Sequence, residues 1–223
     1  MAYVYVAGAL FAADIGLHIA GTSRDREALR CVTKVLLIPL LALAFSLLWF
    51  EVSPSPLPKL VALGLLAGAA GDICLLDHSH PAGVRLGLLF FSAGHVLYII
   101  QFFKLMPMPA WWLIALLVAV FAAGIILLYL KLMPFLPKAM RAGAPLYMLL
   151  LSTLSAIAAA DAFTTFHAGS FVLLAGTLLF LLSDTVLTFE IFCRETAHSH
   201  TKVMIPYMAA QTLIAAGFFL RMV

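Results

Sequence analysis

Two aspartates, Asp72 and Asp184, lie inside apolar segments that are long enough to cross a lipid bilayer. The first stands in the run AAGDICLL and the second in the run LLSDTVLT. A charged side chain near the middle of a membrane helix costs roughly 2.5–3.5 kcal/mol, so such residues usually serve a function. Two carboxyl groups in an apolar setting can divide acid and base work, because one keeps its proton while the other is ionised. We therefore interpret Asp72 and Asp184 as a candidate catalytic pair.

The residues beside the two aspartates suggest how each carboxyl is held. Gly71 precedes Asp72 and has no side chain, so a neighbouring helix can approach closely at that point. Ser183 precedes Asp184, and Thr188 follows it by one helical turn. Their hydroxyls could fix the carboxyl of Asp184 in one rotamer. The structural alternative is that both aspartates are buried groups that pair helices.

Other polar side chains within the apolar segments are candidates for positioning a substrate. They fall at helical spacings of three or four residues in two places, so those pairs share a helix face. Each also has a structural interpretation, since a lysine near a helix end extends toward the lipid headgroups and a buried histidine can be a core residue. The candidate binding residues are Lys34, His95, Tyr98, Tyr147, Glu190, Tyr207 and Gln211. Asp14 and His18, four residues apart, could form a further pair.

The composition is that of an integral membrane protein. The 223 residues are 65% hydrophobic and 10% charged, with a mean hydropathy of +1.12, a balance that no soluble surface could accommodate. The net charge of +3 gives no indication of nucleic-acid binding. Three scattered cysteines predict neither a disulfide framework nor a thiolate metal site. Two His-Ser-His loops, 78–80 and 198–200, are weak metal-site candidates, and we expect no bound metal and no cofactor.

Continuous apolar runs of about 20 residues predict membrane-spanning helices rather than a β-barrel. Pro, Gly and charged residues separate the runs, and no stretch is left for a soluble domain. The prediction is a single all-α transmembrane domain over 1–223, a bundle of eight transmembrane helices. Their expected bounds are 3–20, 32–50, 58–76, 84–103, 110–130, 143–161, 168–193 and 201–221.

The basic residues predict an orientation. Ten of the 13 Lys and Arg residues fall at the ends joined by the first, third, fifth and seventh loops. That side is expected to be cytoplasmic, with both termini on the opposite side. The polar residues above then gather in the cytoplasmic half, and the outer half is expected to be almost purely apolar. This asymmetry predicts a polar cavity with an apolar floor for an acyl chain.

A weak internal repeat of about 112 residues, or four helices, is a further hypothesis. It maps Asp72 onto Asp184 and one His-Ser-His loop onto the other. An even number of helices would keep both copies parallel. The fold prediction therefore includes a 4+4 parallel repeat.

Six short motifs, in order along the chain, resemble the YhhN/lysoplasmalogenase family of multispanning membrane proteins. One departure is Val35, where a proline is expected after the lysine. The motifs are TKVLLIP at 33–39, GDICLL at 71–76, GHVLY at 94–98, PLYM at 145–148, LFLLSDTVL at 179–187 and YMAAQTLI at 207–214.

The resemblance implies eight helices, no cofactor, and hydrolysis of the vinyl ether bond of lysoplasmalogens. The products would be a fatty aldehyde and glycerophosphoethanolamine or glycerophosphocholine. Protonation of the vinyl ether gives an oxocarbenium ion, and glycosidases handle a related ion with two carboxyls. Asp72 and Asp184 would be that pair, with the acid and the base not assigned. Lys34 would hold the phosphate or tune a carboxylate, and the other binding residues would position headgroup and water.

Two other functions stay open on the sequence. A proton-coupled lipid or small-solute transporter without hydrolytic activity would also use intramembrane aspartates. A metal-dependent lipid hydrolase could use the two His-Ser-His loops. The expected partners are an alkenyl lysophospholipid substrate and membrane lipids, with the oligomeric state open. The short loops favour a bacterial plasma membrane over the endoplasmic reticulum.

Overall fold

The computed structural model describes residues 1–24, 26–77, 80–106, 111–193 and 199–223. In these ranges the chain forms eight α-helices and one short 3-10 turn, without a β-strand. The all-α fold predicted from the apolar runs is confirmed. The helices are α1 Ala2–Ser23, α2 Glu27–Val52, α3 Lys59–Cys74, α4 Pro81–Leu105, α5 Trp111–Leu132, α6 Gly143–Thr165, α7 Ala168–Phe192 and α8 Ser199–Met222, with the 3-10 turn at Lys138–Met140.

Seven of the eight helices in the described ranges are long and apolar enough to cross a membrane, as in a multi-pass membrane protein. Helix α3 differs, because its 16 residues extend about 24 Å against a hydrocarbon core of about 30 Å. It is shorter than the expected 58–76. Pro54, Pro56 and Pro58 precede it and disfavour helical backbone. At the other end the Leu76 N–H donates to the Ile73 carbonyl at 3.2 Å, which closes the last turn tightly.

The chain divides into two compact units. The first comprises Met1–Leu97 with Met222–Val223, and the second comprises Tyr98–Arg221. The division falls within α4 rather than between α4 and α5. The expected single domain and 4+4 repeat therefore stay predictions.

In the first unit, α2 lies between α1 and α3 and contacts both. Helix α4 approaches α3 at glycines. A Cβ on Gly94 would lie 3.0 Å from the Gly64 carbonyl oxygen, and one on Gly71 would lie 2.8 Å from the Phe91 ring. Small residues allow this close packing where no water drives helices together. Gly71, as expected, admits a neighbouring helix directly beside Asp72.

In the second unit, α6 is the most deeply buried of the candidate spans and contacts α5 and α7. Helices α7 and α8 are also in close contact through small residues. A Cβ on Gly176 would lie 2.9 Å from the Ile214 backbone nitrogen, and one on Gly217 would lie 2.7 Å from the Leu173 backbone nitrogen. These contacts hold α7, which carries Asp184, close to α8, which carries Tyr207 and Gln211.

Candidate active site

Asp72 is buried in the last turn of α3, with 3% of its surface exposed. Lys34 of α2 extends to the same helix end and donates from Nζ to the Leu75 carbonyl oxygen at 3.4 Å. A cation at a helix C-terminus is stabilised by the partial negative charge of the unpaired carbonyls. Lys34 therefore turns toward the helix that carries Asp72 and bonds to the carbonyl of Leu75, three residues after that aspartate in the sequence.

Asp184 is buried on α7, and Tyr147 of α6 donates its hydroxyl to the Oδ2 atom of Asp184. Tyr147 stands in the second turn of α6, just after Pro145, a residue suited to the first turn of a helix. The structure thus joins two of the candidates that the sequence named separately. Tyr147 contacts a candidate catalytic carboxyl directly.

The expected role of Ser183 and Thr188 is wrong. Ser183 Oγ donates to the Val203 carbonyl of α8 at 2.9 Å, and Thr188 Oγ1 donates to the backbone carbonyl of Asp184 at 2.7 Å. Serine and threonine hydroxyls in helices commonly bond backbone carbonyls in this way, so neither fixes the carboxyl of Asp184.

Tyr207 and Gln211 are both buried on α8 and contact each other, with Gln211 Nε2 donating to the Tyr207 hydroxyl at 3.3 Å. The Tyr207 ring meets Phe180 edge-on at a centroid distance of 5.5 Å. Phe180 lies one turn before Asp184 on the same face of α7. Gln211 Oε1 is buried and accepts no hydrogen bond from the residues that the structure describes. An amide oxygen in that state is suited to accept a hydrogen bond from a ligand or a water molecule.

The remaining candidates have separate surroundings. His95 of the first unit and Tyr98 of the second are both buried on α4, and the Tyr98 ring lies 5.6 Å from that of Phe218. Glu190 is partly exposed in the last turn of α7. Their roles in binding stay predictions.

Asp14 and His18 are both buried on α1, but the pairing expected between them is replaced by a contact to α2. His18 Nδ1 lies 2.8 Å from Thr33 Oγ1, and Thr33 Oγ1 is also 2.7 Å from the Leu29 carbonyl to which it donates. Asp14 Oδ2 is buried and has no hydrogen-bond partner among the described residues. The two side chains therefore share a face of α1, and the Nδ1 atom of His18 contacts α2.

A fourth buried carboxyl, Asp161, was not identified from the sequence. It is fully buried near the end of α6, and Arg221 of α8 holds it with two hydrogen bonds of 3.2 Å, from Nε to Oδ2 and from Nη2 to Oδ1. Ser170 of α7 adds a hydroxyl at 2.5 Å from Oδ2. This cluster places polar groups at the ends of α6, α7 and α8 opposite to Asp184, where the sequence predicted almost purely apolar side chains. The sequence did contain a signal for this pair. Asp161 and Arg221 end two predicted helices, 143–161 and 201–221, whose ends were predicted to lie on the same side of the membrane.

In the first His-Ser-His loop, His80 contacts an aspartate. His80 Nδ1 lies 2.9 Å from Asp77 Oδ2 in an exposed loop. His78 and His198 lie outside the described residues. Across the residues that the structure covers, no group of three or more His, Cys, Asp or Glu side chains could hold a metal ion.

The profile described as the YhhN family matches residues 29–218 of this chain. The chain is also similar to proteins named lysoplasmalogenase TMEM86B. It is 33% identical to that of Sus scrofa over 151 residues, which are 68% of this chain and 59% of the pig protein. It is 31% identical to that of Homo sapiens over 177 residues, which are 79% of this chain and 70% of the human protein. The match thus spans less than two thirds of the pig protein's length. No solved structure matches the chain significantly.

Proposed function

Because the chain belongs to the YhhN family, we propose that it is an intramembrane hydrolase that cleaves the vinyl ether bond of lysoplasmalogens. The products are a fatty aldehyde and glycerophosphoethanolamine or glycerophosphocholine. One observation carries the proposal beyond the similarity to proteins named lysoplasmalogenase. Asp72 and Asp184, in two of the family-like motifs, are both buried within apolar helices, where an ionisable group is retained at a cost.

The proposed chemistry needs one protonated and one ionised carboxyl, and Asp72 and Asp184 are the two we assign to it. The acid gives its proton to the β-carbon of the vinyl ether, and the π electrons form the new C–H bond. The α-carbon and the ether oxygen then share the positive charge of an oxocarbenium ion. The ionised carboxylate stabilises that ion and takes a proton from the water that attacks the α-carbon.

Breakdown of the resulting hemiacetal returns both carboxyls to their starting protonation states. Its hydroxyl proton passes to the first carboxylate as the carbonyl forms, and the bond to the glycerol oxygen breaks. The second carboxyl protonates that leaving oxygen. One water is consumed, and the acid and the base return to their starting states.

The other candidates serve the substrate in this proposal. Lys34 supplies a positive charge for the lysolipid phosphate near the end of α3. The residues that we assign to positioning the headgroup and the attacking water are His95, Tyr98, Tyr147, Glu190, Tyr207 and Gln211. We place the Tyr147–Asp184 end of the second unit toward the cytoplasm, on the basis of the distribution of basic residues.

The test is aldehyde release by detergent-purified protein from 1-alkenyl lysophosphatidylethanolamine, with 1-acyl and 1-alkyl lysolipids as controls. We expect aldehyde from the alkenyl lipid alone, and release that is about 10⁴-fold slower after Asp72→Asn or Asp184→Asn. Glu51→Gln is the matched control, because Glu51 is a partly exposed carboxyl at the far end of α2. Absence of turnover by folded protein for every lipid would end the hydrolase proposal.

A proton-coupled lipid or solute transporter is a second candidate, and the Asp161–Arg221 pair favours it. A transporter places polar groups along its whole path, and this pair adds a polar position at the opposite end of α6, α7 and α8. Uptake of a labelled lysolipid into proteoliposomes, driven by a pH gradient and without release of aldehyde, would support this function over hydrolysis.

A further inference from the structure

The position of Tyr147 distinguishes it from the other proposed binding residues. It is about 95% buried, and its hydroxyl donates to Asp184 Oδ2 across the α6–α7 contact. The helix that carries it is anchored nearby, because Ala144 packs with Leu132 and Leu136 in a buried apolar cluster. This packing near the start of α6 supports the position from which the Tyr147 hydroxyl reaches Asp184.

A tyrosine hydroxyl carries a single proton. Since that proton is given to Asp184, Tyr147 has none left to donate to a lipid phosphate, whose oxygens only accept hydrogen bonds. A direct role of Tyr147 in holding the phosphate does not fit this contact. The Tyr147 hydroxyl therefore serves Asp184 rather than the lipid phosphate.

A phenol also differs from a cation as a partner for a carboxylate. Its hydrogen bond stabilises negative charge on the oxygen, but it adds no positive charge that would hold the group permanently ionised. The carboxylate can still take up a proton from water and return it. A carboxylate has about four lone-pair sites on two oxygens, so the hydrogen bond from Tyr147 does not by itself prevent an attacking water molecule from bonding to the same group.

We infer that Tyr147 is a positioning residue that holds Asp184 as the ionised member of the carboxyl pair, which makes Asp72 the proton donor. The inference rests on the proposed function, because it assigns roles within that reaction. Asp184 then stabilises the oxocarbenium ion and accepts the proton of water, while Asp72 protonates the β-carbon.

The test is steady-state kinetics of Tyr147→Phe with 1-alkenyl lysophosphatidylethanolamine. The variant keeps the ring and removes only the hydroxyl. We expect kcat to fall about 10- to 100-fold, as for the loss of one hydrogen bond to a charged group, with KM changed by less than about threefold. Tyr129→Phe is the matched control, because the Tyr129 hydroxyl bonds only a backbone carbonyl, that of Arg141 at 3.0 Å. It should keep wild-type kinetics.

A double-mutant cycle separates action through Asp184 from contact with the substrate. If Tyr147 acts through Asp184, Tyr147→Phe should change the residual rate of Asp184→Asn by less than about twofold. A full loss in that background, or a raised KM with unchanged kcat in the wild-type background, would overturn the inference and make Tyr147 a substrate contact.

Rescue by formate tests the division of roles. Formate is an anion at neutral pH, so it can replace a carboxylate but not a protonated acid. We expect formate to raise the rate of Asp184→Gly and not that of Asp72→Gly. Rescue of Asp72→Gly alone would reverse the assignment. A wild-type protein that releases no aldehyde would remove the proposed function itself, whereas an active wild type with a fully active Tyr147→Phe would remove only this inference.

Discussion

The second unit carries two buried aspartates on neighbouring helices, and their surroundings differ. Asp161 is fully buried and bound by a guanidinium in two hydrogen bonds and by the Ser170 hydroxyl. Asp184 is about 9% exposed and accepts the hydroxyl of Tyr147. Asp161 on α6 is held by side chains of α7 and α8 that include a guanidinium, whereas Asp184 on α7 is bonded to a phenol of α6. A carboxylate fixed by a buried cation is poorly suited to cycle a proton, whereas one bonded to a phenol can do so.

The polar residues around Asp184 and those around Asp161 are related by a spacing of 14 residues in the sequence. Tyr147 and Asp161 on α6, Ser170 and Asp184 on α7, and Tyr207 and Arg221 on α8 are each 14 residues apart. Fourteen residues are almost four helical turns, about 21 Å, so each helix presents two polar layers on nearly the same face. Neighbouring helices run antiparallel, which brings the early residues of α6 to the late residues of α7. We interpret the Asp184 layer as reactive and the Asp161 layer as structural.

We expect the largest effect of a substitution on activity in the Asp184 layer. Asp184→Asn removes the charge and the proton acceptor with almost no change in shape, and we expect aldehyde release to fall about 10⁴-fold. The free energy of unfolding should change by less than about 1 kcal/mol, because the amide can still accept from Tyr147. Steady-state assays and unfolding in detergent measure the two effects. Full activity in Asp184→Asn would refute the assignment.

At the structural layer the expected effect is on stability. Arg221→Met leaves Asp161 buried without its cation, which should lower the free energy of unfolding by about 3–5 kcal/mol. The double variant Asp161→Leu with Arg221→Met should recover most of that loss, and the folded protein should keep its activity. Thermal unfolding in detergent is the measurement. An Arg221→Met protein that is stable but inactive would show that this layer also has a functional role.

A smaller effect is expected at the α7–α8 contact that supports both layers. Gly176→Ala places a Cβ 2.9 Å from the Ile214 backbone nitrogen, so a helix must shift, at a cost of about 1–3 kcal/mol in stability. Gly124→Ala is the matched control, since a Cβ there meets no atom within 4 Å. Equal melting temperatures for the two variants would indicate that α7 and α8 pack less closely than described.

The smallest effect is expected at Gln211. Gln211→Leu removes the amide that donates to Tyr207 at 3.3 Å, and the loss of one neutral hydrogen bond is worth about 1 kcal/mol. KM for the alkenyl lysolipid should rise about three- to tenfold, with kcat nearly unchanged. A drop in kcat without a change in KM would place Gln211 with the groups that act on the transition state.

The helices were predictable because a bilayer demands about 20 apolar residues per span, and these runs are plain in the sequence. The shortness of α3 was not predicted, since the apolar character of 75–76 continues beyond the last helical residue. The backbone turn that ends the helix there depends on hydrogen bonds rather than on hydropathy.

The members of the site were easier to predict than their contacts. Tyr147 and Asp184 each stood out as a polar residue in an apolar segment, but 37 residues separate them, and no local pattern joins residues so far apart. Asp161 was missed because it lies close to a helix end, where a solvated carboxylate is ordinary. Ser183 and Thr188 were misinterpreted because backbone carbonyls compete with a carboxyl for the same hydroxyls.

The central claim is that a carboxylic acid of the protein protonates a vinyl ether carbon. Turnover of 1-alkenyl lysophosphatidylethanolamine in D₂O tests it most directly, with the aldehyde trapped at once by reduction and weighed by mass spectrometry. We predict one solvent-derived deuterium on the carbon next to the carbonyl, above the level in free aldehyde incubated alone, and release that is about 10⁴-fold slower from Asp72→Asn. Aldehyde released without that deuterium would contradict the account, because the bond would then have been broken without protonation of the β-carbon.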